Sequence, residues 1–458
     1  MNEPAPHPRS VSAPRLPRGA PWSLLYLLAL EIVAVSLLGV DRAVTAAAIA
    51  MNVVFIVYLF RHLAFAATAA RYASRDLRRL PDVDVAFVPT VTVMVACHNE
   101  AVVARNLVAG LRGLDYPGDR LDVILVDDGS QDGTGPMLEH LTATDPHIRV
   151  LHRPPGEGGG KSGALNAALE RATGEIIVVF DADHVPSPDV VRRLVRHFAD
   201  ARVSAAQGRC VITNWGETPL ARAIAIDYFS GYLVNEYGRQ ALFELPAYGG
   251  ANCAVRASTL RRLGGWNPAT VTEDTDLTMR VLLSGERVRY DVTAVDTEQA
   301  PTTIRWFMRQ RYRWARGHQQ VWRDYRRAVL ATPHLGTMAR IETLMFLLVF
   351  HVPVVCAATF VLLAMRLAGI GHPITLFELL PLTALLFAGP FCELAVGLVV
   401  GRAPRWTAWS LALMLPVFIV SITVTTKAWI DGLLGVPYAW VKTRRSGAEP
   451  STPERVAA

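Results

Sequence analysis

Four clusters of chemically capable residues follow one another through the middle of the chain: Asp127-Asp128-Gly129-Ser130, Asp181-Ala182-Asp183, Thr272-Glu273-Asp274 and Gln310-Arg311-Tyr312-Arg313-Trp314. Asp181 and Asp183 leave the apolar run Ile176–Phe180 at alternate positions, so one carboxylate can face a cation while the other meets a ribose or an outer coordination shell. Hard oxygen ligands of this kind suit Mg2+ or Mn2+ bridging a diphosphate. Asp127 and Asp128 close another apolar run; one can accept from a nucleobase or ribose and the other can support the metal site, although an Asp-Gly turn explains the same residues locally. Glu273 and Asp274 precede the helical pattern Leu277–Leu283, where a carboxylate can take the proton of an attacking hydroxyl. The local alternative is a helix N-cap on Thr272. Gln310 and Arg313, three apart, share a helix face. There a guanidinium can balance a departing diphosphate and Trp314 can stack on a sugar ring, while Arg and Trp also serve as interfacial lipid anchors.

Positioning these groups requires an alternating α/β framework. Val91–Ala96, Val123–Val126, His147–Leu151 and Glu175–Phe180 read as strands, with helices over Ala101–Leu111 and Ser162–Ala172 between them. That rhythm predicts an open, mostly parallel sheet with helices on both faces, whose ligands sit outside the carboxyl ends of the strands. Asn99-Glu100, Asp127-Asp128 and Asp181–Asp183 all follow strand ends. The loop Pro154–Lys161 leads into a helix, a setting in which backbone amides and Lys161 can meet phosphate, or in which the loop is a plain connector.

With 458 residues, 51% of them hydrophobic, and a mean hydropathy of +0.26, the chain has room for a catalytic domain and membrane spans. Trp22–Val40, Val44–Phe60, Met345–Leu367, Leu376–Val400 and Trp406–Thr425 each approach or exceed the roughly 20 apolar residues that cross a bilayer. Arginines flank the first pair on both sides, which puts both ends of that hairpin in the cytoplasm. The N-terminal run is too long, and too closely followed by a second, for a cleaved signal peptide. Three further spans would leave Lys442, Arg444 and Arg445 outside, so either one stretch does not cross or Trp429–Trp440 re-enters. The net charge of +6 lies in these flanks and suits anionic headgroups, not nucleic acid. Five cysteines without a CxxC pair fit a reducing compartment.

In this order Asp127/Asp128, Asp183, Asp274 and Gln310/Arg313/Trp314 resemble the signature of the membrane-embedded family 2 glycosyltransferases, the group of the cellulose, hyaluronan, chitin and poly-N-acetylglucosamine synthases. The resemblance runs from residue 88 to residue 330. It implies an α/β GT-A nucleotide-sugar domain inserted between transmembrane helices, a Mg2+ or Mn2+ ion, inverting single displacement and a channel beside the site. Position by position it implies that Asn99, Glu100, Asp127, Asp128, Lys161, Asp181, Gln310 and Arg313 bind the UDP-sugar and that Asp183 ligates the metal. Asp274, with Glu273 beside it, would be the base, and Trp314 and Tyr248 would meet the acceptor. Where cellulose synthases carry Phe-Phe-Cys-Gly-Ser, this chain has Ala247-Tyr248-Gly249-Gly250-Ala251, so glucose is not implied as the acceptor sugar. Trp440–Arg445 resembles a basic gating segment but ends the chain.

The expected layout is a disordered tail (1–20), two spans (21–70), the GT-A domain (85–300), interfacial helices (301–335), about three spans (339–435) and a basic tail (436–458). The expected activity is processive synthesis of a β-linked polysaccharide at a bacterial inner membrane, with the catalytic domain cytoplasmic and an accessory export subunit as a possible partner. The alternatives are transfer of one sugar to a membrane lipid, or a non-catalytic scaffold or transporter.

Overall fold

The computed structural model describes residues 40–77, 87–369 and 376–437. Its centre is an eight-stranded sheet in the order β3-β2-β1-β4-β7-β6-β8-β5. The strands are β1 (Val91–Cys97), β2 (Leu121–Asp128), β3 (Ile148–Arg153), β4 (Ile176–Asp181), β5 (Val185–Pro186), β6 (Val203–Ile212), β7 (Cys253–Arg256) and β8 (Arg287–Glu298). The first four match the sequence expectation to within a few residues and pair in parallel. β3 is an edge strand with Arg149 and His152 exposed, while both faces of β1, β2 and β4 are buried. Val93, Val95, Leu125, Val178 and Phe180 pack on one side, and Met94, Ile124, Val126, Ile177 and Val179 on the other. Burial on two faces is why these strands read as continuous apolar runs without polar alternation.

The remaining half makes the sheet mixed. β7 runs antiparallel to β4 and β6, β5 antiparallel to β8, and β6 parallel to β8. The chain builds β1, β2 and β3 outward on one side, then crosses to place β4 on the other side of β1, which creates a switch point. Register then sets the acids: Cys97 of β1 faces Asp127, and Ala96 faces Asp181. The two acidic pairs therefore flank the carboxyl end of the same strand.

Several helices matter for the site. They are α1 (Val40–Thr68), α2 (Gly160–Leu169), α3 (Pro219–Ser230), α4 (Glu273–Leu283), α5 (Ile304–Ala331), α6 (Thr337–Leu348), α7 (Val352–Leu367), α8 (Leu376–Val400) and α9 (Met414–Leu433). Helix α5 joins the two halves of the molecule, packing on α4 and on α9. Helix α1 lies along α8. The two are tied by His62 and Glu393 at 2.9 Å, and α1 is tied to α6 by a two-pronged Arg61–Glu342 ion pair at 2.8 and 2.9 Å.

Among the described residues two helices are long and apolar enough to cross a membrane, Thr45–Asp76 and Thr407–Leu433. The stretch Met345–Leu367, read from sequence as one span, is broken: α6 ends at Leu348, α7 begins at Val352, and the two axes differ by 64°. Pro353, in the first turn of α7, lacks the N–H needed to continue the helix and disfavours helical backbone before it. Trp429–Leu433 continues α9 and does not begin a re-entrant element. The expected span Trp22–Val40, the terminal tails and the Trp440–Arg445 segment lie outside the described residues, apart from Val40, which opens α1.

Candidate active site

The strand ends and three loops converge on one mouth. At the end of β2, Asp127 accepts from the Ser130 amide at 3.1 Å and from His152 Nδ1 at 3.0 Å. The bond to Asp127 raises the pKa of His152. A side chain at position 135 would strike Asp127 Oδ2 at 2.3 Å, so Gly135 is what admits this carboxylate. Asp128 pairs with the buried Arg153, and burial raises its pKa against that pull. Arg153 also donates to the Gly158 carbonyl at 2.8 Å, pinning the glycine loop over the acidic turn. Asn99 has a left-handed backbone (φ 55°), receives the Gln131 amide on its side chain at 2.8 Å and donates its own amide to Ser130 Oγ at 2.9 Å. The Glu100 amide donates to Thr134 Oγ1 at 2.8 Å. Asn99 and Glu100 thus brace the β2 turn.

Lys161, in the first turn of α2, donates to Asp181 Oδ1 at 2.5 Å and to the Gly250 carbonyl at 2.9 Å, with Glu273 Oε1 at 3.5 Å. Burial opposes its charge, but Asp181 and Glu273 more than offset that and hold its pKa above the ordinary lysine value. One cation thereby links the glycine loop, β4, the Gly249-Gly250 loop and α4.

Asp274 sits in the first turn of α4, its Oδ1 accepting the Thr275 amide at 2.6 Å. Thr272 precedes the helix without making a side-chain cap bond. Burial, and then the neighbouring charge of Glu273, push the Asp274 pKa up to about 6, against the pull of the Thr275 amide and Lys161. The carboxylate form of Asp274 therefore gains population as pH rises. Turnover should climb through an acidic limb centred near pH 6 and level off above it, which a kcat–pH profile between pH 5 and 8 will test.

Asp183 lies beyond the end of β4. It shares its surroundings with Asp181 and His184: each offers one ligand atom, and all these atoms fall within 4.8 Å of one another. The two carboxylates suit a Mg2+ or Mn2+ ion and fit it. Burial opposes a charge on His184, but Asp296 and Glu298 raise its pKa well above the ordinary histidine value, which makes it a cation beside the acids and not a ligand. His184 was not among the residues picked out from sequence, where its only signal is its place directly after Asp183. The buried Asp296 holds His184 Nδ1 at 2.5 Å, and Glu298 lies 3.6 Å from Nε2.

The remaining expected residues divide. Gln310 is buried on α5, while Trp314 packs against the Arg311 guanidinium at 4.9 Å, which in turn pairs with Asp227 of α3. Arg313 meets no hydrogen-bond or ion-pair partner among the described residues and stays available to an anion. The Tyr248 ring, expected at the acceptor, is 1% exposed and packs in the core with Trp266. What that segment offers the site is backbone: the Gly249 amide bonds Gln207 at 2.6 Å, and a Cβ on Gly250 would lie 3.1 Å from Asp274 Oδ2. His152, Arg153 and Gln207 also went unnoticed in the sequence, because only the folded sheet brings them to these partners.

A cluster of acids at a β-sheet switch point, an acidic turn on the adjacent strand and a buried carboxylate across the mouth are set in a sheet of GT-A type. Residues 92–264 match the family described as Glycosyl transferase family 2, which makes that segment a glycosyltransferase domain. The chain is 37% identical over 235 residues to a probable glycosyltransferase, YdaM, of Bacillus subtilis, covering 51% of this chain and 56% of that protein. It is 36% identical over 282 residues to the beta-monoglucosyldiacylglycerol synthase of Synechocystis, covering 60% and 57%. The chain thus spans just over half the length of these curated relatives. Its fold is shared with the mannosyltransferase PcManGT of Pyrobaculum calidifontis, solved with GDP-Man and Mn2+ (TM-score 0.54, 23% identity, 82% of this chain and 99% of that one).

Proposed function

We propose that the chain moves a single sugar from a UDP-sugar to a hydroxyl group of a membrane lipid, with inversion at the anomeric carbon. The observation that carries this reading is Asp274: a buried carboxylate of raised pKa, linked through Glu273, Lys161 and Asp181 to the donor-side acids. Asp127 and Asp128 hold the nucleoside, braced by Asn99 and Glu100. Arg313 would balance the charge of the departing diphosphate, and Trp314 of the same helix would stack on a sugar. Asp183, with Asp181, would hold the Mg2+ or Mn2+ ion, which when bound supplies charge neutralisation at the diphosphate. Asp274 takes the acceptor proton as the hydroxyl attacks, and no covalent intermediate is needed. Glu273 keeps that proton affinity high by its charge.

The lipid acceptor is preferred because the diacylglycerol-glucosylating relative is 36% identical over 60% of this chain. α5, which carries the Gln310–Trp314 motif, also packs directly on the apolar helix α9. The second reading, processive polysaccharide synthesis with export, is favoured by the motif order and by a weaker likeness, 25% identity over 56% of this chain, to the poly-beta-1,6-N-acetyl-D-glucosamine synthase of Staphylococcus aureus. Arginine-flanked apolar helices support a multi-pass protein of the bacterial inner membrane with this domain in the cytoplasm. The test offers UDP-glucose, UDP-N-acetylglucosamine, UDP-glucuronic acid and GDP-mannose to the purified protein in lipid nanodiscs containing diacylglycerol, with and without Mn2+. Label extracted into organic solvent as a one-sugar product is the expected result. Label retained in high-mass polymer would replace the lipid reading with the polymer one.

A further inference from the structure

Helix α5 passes between the acid-bearing helix α4 and the membrane-side helices, and His318 stands at the crossing. The approach is close: a Cβ on Gly317 would lie 2.3 Å from Thr272 Cγ2, so only glycine lets α5 come this near the start of α4. His318 Nε2 is 3.3 Å from Thr275 Oγ1, and that hydroxyl is 3.2 Å from Asp274 Oδ1. The other ring nitrogen, Nδ1, is buried and has no hydrogen-bond partner among the described residues. A buried N–H left without an acceptor is the rarer and costlier fault, so the proton belongs on Nε2. Nε2–H then donates to Thr275 Oγ1, whose own proton is directed to Asp274. The ring is wedged against Phe350 at 4.6 Å and Phe346 at 5.7 Å, at the break between α6 and α7.

We propose that His318 is a positioning residue that, through the Thr275 hydroxyl, fixes the orientation of the Asp274 carboxylate and supports its charged form. The proposal rests on the reading of Asp274 as the base. A slot that served packing alone would be filled more favourably by an all-carbon ring, since an imidazole nitrogen there goes unsatisfied. Burial, then Arg239 and His351, lowers the pKa of His318 to about 3, so it stays neutral wherever the enzyme works. The groups facing Asp274 are Glu273 on its own helix, Lys161 from α2 and Cys253 from β7; those facing His318 are Arg239, from the helix Tyr237–Phe243, and His351. None of these others reaches Thr275 Oγ1, so the two-bond path is specific to His318 and Thr275.

The test compares His318→Phe, His318→Gln, Thr275→Val and the His318→Phe/Thr275→Val double variant in the full chain. Loss of a donor to a carboxylate raises its pKa. His318→Phe and Thr275→Val should each move the acidic limb of kcat up by roughly half to one pH unit, and lower kcat by about tenfold with the donor KM unchanged. Because the two act in series, the double variant should be no worse than Thr275→Val. His318→Gln, whose amide can donate, should restore part of the loss, and it keeps the test open should the Phe variant fold poorly. A donor-free readout is the infrared band of the protonated carboxyl that disappears in Asp274→Asn, titrated in wild type and His318→Phe. An unmoved limb and an unmoved band, with any loss tracking the thermal midpoint, would overturn the relay. If Asp274→Asn itself retains turnover, the base reading falls instead, so the two failures are distinguishable.

Discussion

Replacing Asp274 by Asn will lower turnover by a factor on the order of 10² to 10⁴ while leaving UDP affinity nearly unchanged. The substitution keeps shape and keeps the oxygen that accepts the Thr275 amide at 2.6 Å, so the start of α4 stays in place. What disappears is basicity at the mouth, and with it the acidic limb near pH 6 in whatever activity remains. A companion variant fixes the sign of the electrostatics. The charge of Glu273 is the second cause, after burial, of the raised Asp274 pKa, so Glu273→Gln should lower that pKa and move the limb to more acidic pH. The same change also removes one of the two acids beside Lys161, the one at 3.5 Å. Steady-state rates and UDP calorimetry on both variants decide the matter. Turnover of Asp274→Asn within a few-fold of wild type would remove Asp274 from the chemistry.

The second large effect is on stability, at the seam between the apolar helices and the catalytic domain. Glu342 of α6 is 2% exposed and accepts from Arg61 of α1 at 2.8 and 2.9 Å and from Arg239 at 3.2 Å. Arg239 is itself 1% exposed and lies 3.8 Å from the Phe346 ring. Glu342→Gln would leave two buried guanidiniums sharing less negative charge, and removing one partner of such a set costs about 3–5 kcal/mol. The expected result is a thermal midpoint lower by roughly 10 °C. Activity should fall with it, because Glu236, which pairs with Arg239 at 3.5 Å, also holds the Ala247 amide at 2.7 Å, at the head of the Gly249-Gly250 loop. Replacing Arg61, Arg239 and Glu342 together by apolar residues should recover much of the midpoint, since a buried ion set is costly chiefly when it is broken. An unchanged midpoint in Glu342→Gln would show that water reaches this seam.

Much of the catalytic half is legible in the chain because its signals are local. Strands β1, β2 and β4 are apolar runs buried on both faces, and each leads into polar groups that the rule for open parallel sheets assigns to the ligand side. Asp127, Asp128, Asp181 and Asp183 could be picked out that way. β7 could not: Cys253–Arg256 is four residues long, and its antiparallel insertion between β4 and β6 depends on a return path through α3 and the helix Tyr237–Phe243. Tyr248 shows the opposite failure. The family resemblance implies an acceptor role for it, but the fold spends the ring on the core against Trp266 and leaves the neighbouring backbone at the site.

The sequence by itself determined which residue types line the mouth and the order of the strands that carry them, because carboxylates at strand ends and apolar periodicity are properties of neighbours in the chain. Tertiary structure alone decided how those groups are tuned. Lys161 meets Asp181, 20 residues away, and Gly250, 89 residues away; His184 meets Asp296 across 112 residues; His318 meets Thr275 across 43. The charge state and orientation of a carboxylate depend on desolvation and on partners within a few ångströms. Those partners come from distant segments that only the packing of α5 on α4, and of both on the sheet, brings together.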